Sequence, residues 1–70
     1  MKNQEKIIEI IDVFDTAGVF AITPDMIKDY CYDRKLAITS FQVDEIIDEL
    51  SAQDRIVWDA TRTYFRPIHY

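Results

Sequence analysis

One glycine, one cysteine and two prolines in 70 residues leave this chain few backbone breakers and no means of cross-linking itself. A lone cysteine excludes an internal disulfide and with it the stapled secreted scaffolds, so a reducing, cytoplasmic setting is expected. No apolar run approaches the roughly 20 residues of a spanning helix. The opening Met1-Lys-Asn-Gln-Glu-Lys6 leads straight into a charged amphipathic stretch, unlike a signal peptide, and no membrane role is expected. Linkers, repeats and low-complexity tracts are missing too. So are a nucleophile elbow, a phosphate loop and a dinucleotide fingerprint. The one histidine, His69, and the one cysteine, Cys31, have no partner at metal-ligand spacing. Asp12 with Asp15, and Asp25 with Asp29, can pair on helices, but no second domain closes a pocket over them. The expectation is a protein that is not an enzyme and has no cofactor and no metal.

What is present suits one small domain over residues 1–70. Half the chain (49%) is hydrophobic and nine residues are aromatic, enough for one core in a chain that buries only about 60% of its unfolded surface. A net charge of −5 disfavours nonspecific adhesion to nucleic acid or anionic membranes.

Helical periodicity predicts a first helix over about Gln4 to Ala17 with Asn3 as its cap. Ile7, Ile10, Ile11 and Phe14 lie on one side and Glu5, Glu9, Asp12 and Thr16 opposite. Gly18 falls where a helix stops and the left-handed region is needed. Val19-Phe20-Ala21-Ile22 reads as a brief strand able to pair with the C-terminal hairpin. Thr23-Pro24-Asp25 starts a second helix with a cap, a proline at the first position and an acid in the first turn. Its inner face is Met26, Ile27, Tyr30 and Cys31, the last a small buried hydrophobe. Asp25, Lys28, Asp29, Tyr32 and Asp33 face out. After the short link Lys35–Ile38, Thr39 to Gln42 forms a capping box, with Ile38 and Val43 as a hydrophobic staple. The third helix then buries Val43, Ile46, Ile47 and Leu50. Asp54 stands at its left-handed C-terminus. Arg55–Asp59 and Thr63–Arg66 make a hairpin, with Ile56 and Phe65 in the core and Asp59-Ala-Thr-Arg62 as a type I turn. Pro67 ends the second strand or lies on an open edge. Trp58 and Tyr64 are the expected cross-strand aromatic pair, with exposure on a binding surface as the alternative.

This order, with Ile46-Ile-Asp-Glu-Leu-Ser-Ala-Gln-Asp-Arg-Ile56 as third helix and strand lead-in and Val57 to Arg66 as wing, resembles the winged helix-turn-helix superfamily across the whole chain. The resemblance implies an α+β fold of three helices, a short strand and a C-terminal β-hairpin wing. Members that bind DNA usually offer Arg, Lys, Ser, Thr or Asn on the outer face of the third helix. Some acidic members bind proteins instead, including the C-terminal winged helix of the middle subunit of replication protein A and those of the membrane-sorting complexes.

Charge is distributed unevenly. Residues 1–38 hold five cations against seven acids, residues 39–54 five acids and no cation, and residues 55–70 three arginines against one acid. The outer face of the third helix carries Asp44, Glu45, Asp48 and Glu49. Three readings fit it: a solvated surface, a docking face for a basic partner, and a mimic of DNA phosphates. At about 100° per residue, Phe41 lies about 180° from the buried set and among these acids. There it resembles an interface anchor within a polar rim. The alternative is that it folds back against Tyr32 or Leu36. Ser40 and Gln42 at the helix start, with Arg62 and Arg66 on the wing and Arg55 and Tyr64 beside them, are the candidate nucleic-acid contacts. The plainer reading of the arginines is pairing with nearby acids, Asp59 included.

The leading expectation is a small regulatory protein that binds a protein partner through Phe41, Asp44, Glu45, Asp48 and Glu49. Its size suggests a phage or plasmid accessory factor acting on host machinery. The alternative is a DNA-binding transcriptional or replication regulator, its weak contact doubled by dimerisation through the first helix or the open hairpin edge. An assembly module forming a stable homo-oligomer is the third.

Overall fold

The computed structural model describes residues 2–68, with side chains from Asn3 onward. Helices α1 (Lys2–Thr16), α2 (Pro24–Asp33) and α3 (Ser40–Ala52) precede two antiparallel strands, β1 (Ile56–Trp58) and β2 (Phe65–Pro67). The fold is α+β. Helix α1 begins earlier than its periodicity suggested, so Asn3 sits inside the first turn and does not cap it.

The other two helix starts are as the sequence implies. Thr23 caps α2, its side chain accepting the Met26 N–H at 3.2 Å, and Pro24 opens the first turn. At α3 the capping box is complete: Thr39 Oγ1 accepts from the Gln42 N–H (3.1 Å) and Gln42 Oε1 from the Thr39 N–H (2.9 Å). Each removes a backbone donor that the helix cannot satisfy itself.

All three helices end in one way. The N–H two residues past each cap reaches back to the carbonyl five residues earlier: Val19 to Phe14, Leu36 to Cys31, Arg55 to Leu50. The residue between is left-handed in every case: Gly18 (φ 87°), Lys35 (φ 54°) and Asp54 (φ 56°). This is the Schellman arrangement, and only at Gly18 does it use the residue that adopts it without steric cost.

The helices enclose one core, in which Ile7, Ile10 and Ile11 of α1 meet Ile27 and Cys31 of α2 and Val43, Ile46, Ile47 and Leu50 of α3. Ile22, Ile56 and Phe65 close it from the sheet side. Met26 and Tyr30, placed on the inner face of α2, are only half-buried; Tyr30 lies at its margin, edge-on to Phe14. No polar or charged residue is buried among the described residues.

The hairpin register is Ile56 with Pro67, Val57 with Arg66 and Trp58 with Phe65. Hydrogen bonds from Asp59 N–H to the Tyr64 carbonyl (2.9 Å) and from Ile68 N–H to the Arg55 carbonyl (2.9 Å) identify the bonded pairs. By antiparallel alternation, Val57 with Arg66 is also bonded, while Ile56 with Pro67 and Trp58 with Phe65 are not. Pro67 therefore sits where its missing N–H would point away from β1. The segment before α2 joins on the other side of β2 by one bridge, Ile22 with Phe65, with bonds of 3.2 and 2.8 Å. The expected strand over Val19–Ile22 is thus reduced to a single paired residue.

The expected pairing of Trp58 with Tyr64 is replaced by Trp58 with Phe65, rings edge-on at 5.2 Å between centroids. The type I turn at Asp59 forms, with the Arg62 N–H on the Asp59 carbonyl (3.0 Å). One further residue, Thr63, follows before Tyr64 pairs with Asp59, and this moves the register by one.

Phe65→Ala is expected to cost about 3–5 kcal/mol, comparable to the whole stability a chain of this length usually has. Circular dichroism should find the variant largely unfolded; a cooperative melt near the parental temperature would contradict this. Lys35→Gly should raise stability by about 1 kcal/mol and Gly18→Ala lower it by about 1 kcal/mol. No atom lies within 4 Å of the Cβ that alanine would add at Gly18. Urea denaturation would therefore read backbone strain and not a clash.

Candidate functional site

Capping fixes where α3 begins, and its buried set Val43, Ile46, Ile47 and Leu50 fixes its rotation. Phe41 consequently points outward and is 71% exposed. It does not fold back onto Tyr32, which is itself 84% exposed. Asp44, Glu45 and Asp48 are exposed on the same helix, whereas Glu49 is half-buried.

Two of these acids are engaged by cations from other elements. Lys28 of α2 reaches Asp44 with Nζ 3.0 Å from Oδ1 and 3.1 Å from Oδ2. Periodicity puts Lys28 on the outer face of its helix, but the packing of α2 against α3 leaves it half-buried beside Asp44. Arg62 of the hairpin turn stands 3.9 Å from Asp48. Glu45 has no cation within pairing distance among the described residues.

The candidate nucleic-acid contacts are less available than their residue types suggest. Ser40 is exposed, but Gln42 is half-buried and its amide oxygen is taken by the capping box. Arg62 adopts φ 55° and lays its guanidinium 4.9 Å above the Trp58 ring. Arg66 points out from β2 with its guanidinium 5.9 Å from the ring of Phe20. Phe20, not among the residues expected at a site, is 75% exposed. Treating 19–22 as a regular strand puts it on the side of the buried Ile22, and only the bend at Phe20 turns it out.

Asp59 organises the hairpin tip. Its Oδ1 accepts the N–H groups of Thr63 (2.6 Å) and Tyr64 (3.0 Å); its Oδ2 accepts the N–H of Thr61 (3.1 Å) and the Thr61 hydroxyl. These bonds, the Thr61 hydroxyl first and then the backbone donors, hold its carboxyl down at about 2 against an ordinary value of 3.8. The expected ion pair between Asp59 and a wing arginine does not form, because the turn's own donors occupy the carboxylate and Arg62 turns to Trp58 and Asp48.

Cys31 is buried, and burial pushes its thiol up while Lys6 partly opposes this. The thiol stays protonated, as suits a small core residue. No three metal-ligating side chains converge among the described residues, and His69 lies outside them. No helix among them is long and apolar enough to cross a membrane. No family model, curated protein or solved structure matches the chain.

The Asp59 network makes stability depend on pH in one direction. A carboxyl whose folded value lies below its unfolded one stabilises the fold fully above about pH 4, and that contribution is lost as pH falls towards about 2. Asp59→Asn should be less stable than the parent at neutral pH and lose less on acidification from pH 4 to 2, as read by denaturant unfolding. Parallel curves for parent and variant would contradict this.

Proposed function

We propose that this chain is a winged helix-turn-helix protein that acts by binding a protein partner through the outer face of α3. Three helices followed by a hairpin, with Ile22 bridging to the far side of β2, support the fold assignment. The observation that carries the functional reading is Phe41, 71% exposed beside Asp44, Glu45 and Asp48. An exposed aromatic on a rigid, doubly capped helix loses little entropy on binding. Its acidic surround selects a partner with an apolar pocket rimmed by Lys or Arg. Glu45 and Phe41 form the open part of this face; Asp44 and Asp48 keep their charge but share it with Lys28 and Arg62.

The same arrangement disfavours the DNA-binding alternative. Carboxylates on the groove-facing side of α3 would meet phosphates of like charge. Gln42, the one base-reading amide at the helix start, is already bonded.

Phe41→Ala with Glu45→Lys tests the proposal without disturbing the Asp44–Lys28 pair. A partner retained from a lysate of the producing organism by the parent and by a Phe20→Ala control should be lost by the double variant. Truncation of an anchor residue is expected to cost at least about 2 kcal/mol, or about 30-fold in Kd. Equal retention by all three proteins would overturn the proposal. Anisotropy with a labelled random duplex should show no binding even at low salt. Binding that survives near-physiological salt and falls in Arg62→Ala would install the DNA reading instead.

A further inference from the structure

Alternation along the hairpin leaves one side of β1 without a partner. The bonded pairs Arg55 with Ile68, Val57 with Arg66 and Asp59 with Tyr64 turn the N–H and C=O groups of those β1-side residues towards β2. The backbone groups of Ile56 and Trp58 therefore point the other way. Among the described residues, no backbone hydrogen bond from outside the hairpin reaches either of them. β2 has no such freedom, since Phe65 bonds to Ile22 on its outer side. The free edge is short, but it carries no proline, no bulge and no lysine to block strand addition. Val57, at its centre, is 53% exposed.

The segment Arg55-Ile-Val-Trp-Asp59 is also complementary to itself. Reversed about Val57, it sets Arg55 against Asp59, Ile56 against Trp58 and Val57 against Val57. We infer that two copies of this chain pair antiparallel through the free edge of β1, with the two-fold axis at Val57. In that register Ile56 and Trp58 of each copy exchange N–H to C=O bonds with Trp58 and Ile56 of the other, four in all, and these use the four backbone groups that each copy leaves open among the described residues. Val57 meets its counterpart in a non-bonded pair, where side chains approach most closely. Ile56 faces the half-buried Trp58 of the other copy, a branched side chain against an aromatic ring. Arg55 faces Asp59, a match of opposite charge across the seam, although both Asp59 oxygens already accept the turn's own donors.

Shifting the register by two residues in either direction removes the Arg55–Asp59 match and half of the edge bonds. Charge and hydrogen bonding thus select the same alignment. The segment's own charge is balanced, one arginine against one aspartate, so the net −5 of each chain is not concentrated at the seam. An isologous contact of this kind closes on itself at two copies and leaves no repeating free edge.

Sedimentation velocity over rising concentration, to millimolar, should show the parent's mass double. Val57→Glu should abolish this, since two carboxylates would meet on the axis, while within one chain Glu at this position faces Arg66 and leaves the hairpin intact. Circular dichroism checks that the variant folds. Independently, Val57→Cys should oxidise to a disulfide-linked dimer, the two thiols being opposite one another, whereas Arg55→Cys should not, because its counterpart there is Asp59. Cys31 is buried and does not compete. A parent that stays monomeric at every concentration would overturn the inference and leave the edge to a strand of some other chain. So would a Val57→Glu protein that still doubles, or Arg55→Cys linking as fast as Val57→Cys.

Discussion

Phe65 joins three parts of this molecule at once. Its backbone bonds Ile22, which carries the chain between α1 and α2, to the C-terminal hairpin. Its ring is fully buried among the helices and takes the edge of Trp58. A two-stranded hairpin is at best marginal in water. Here it is stable because one residue of β2 is at once a ladder member, a core member and an aromatic partner. Residues 55–68 follow three helices that already enclose most of the apolar surface, so Phe65 fixes where the hairpin stands relative to α3. The approach of Arg62 to Asp48 depends on that placement.

Local chemistry accounts for what was legible in the sequence. Thr23, Thr39 with Gln42, Gly18 and Asp54 act on backbone groups within a few residues of themselves, and each does what its type and spacing imply. The burial of Val43, Ile46, Ile47 and Leu50 follows from period alone. The failures lie where distant segments set the outcome. Lysine has no preference for the left-handed region, and Lys35 adopts it because Leu36 must return to the core beside Cys31. Trp58 met Phe65 instead of Tyr64 because the loop holds Thr63 beyond its Asp59–Arg62 bond, so that Tyr64 pairs with Asp59. Lys28 could not be matched to Asp44 from sequence, since 16 residues and an interhelix angle separate them.

The acidic face of α3 is more structured than a count of carboxylates suggests. Charges that merely keep a protein soluble need no partners from elsewhere. Asp44 and Asp48 are each approached by a cation from a different element, at a helix–helix contact and at a helix–wing contact. These exposed pairs add little to stability. They do place a cation beside two of the acids and leave Phe41 and Glu45 as the open part of the face. Legibility was partial here as well: residue types and period placed Phe41 among acids, while only the packing of α2 and the wing determined which acids stay open.

A chain of this size can offer a partner only a small surface, and small interfaces are weak unless they are repeated. The geometry supplies a means of repetition that leaves the α3 face untouched. Pairing at the β1 edge would consume backbone groups of Ile56 and Trp58 and the outward side of Val57, none of which belongs to the Phe41 face. Two copies joined there would present two such faces on one rigid sheet. The second contact would then be intramolecular, at an effective concentration fixed by the sheet, and it would raise avidity without any new residue at the partner's surface. This matters most for a net-negative protein whose single face carries one exposed aromatic. Affinity that one Phe41 cannot supply becomes available from two, provided the partner also repeats or is itself symmetric.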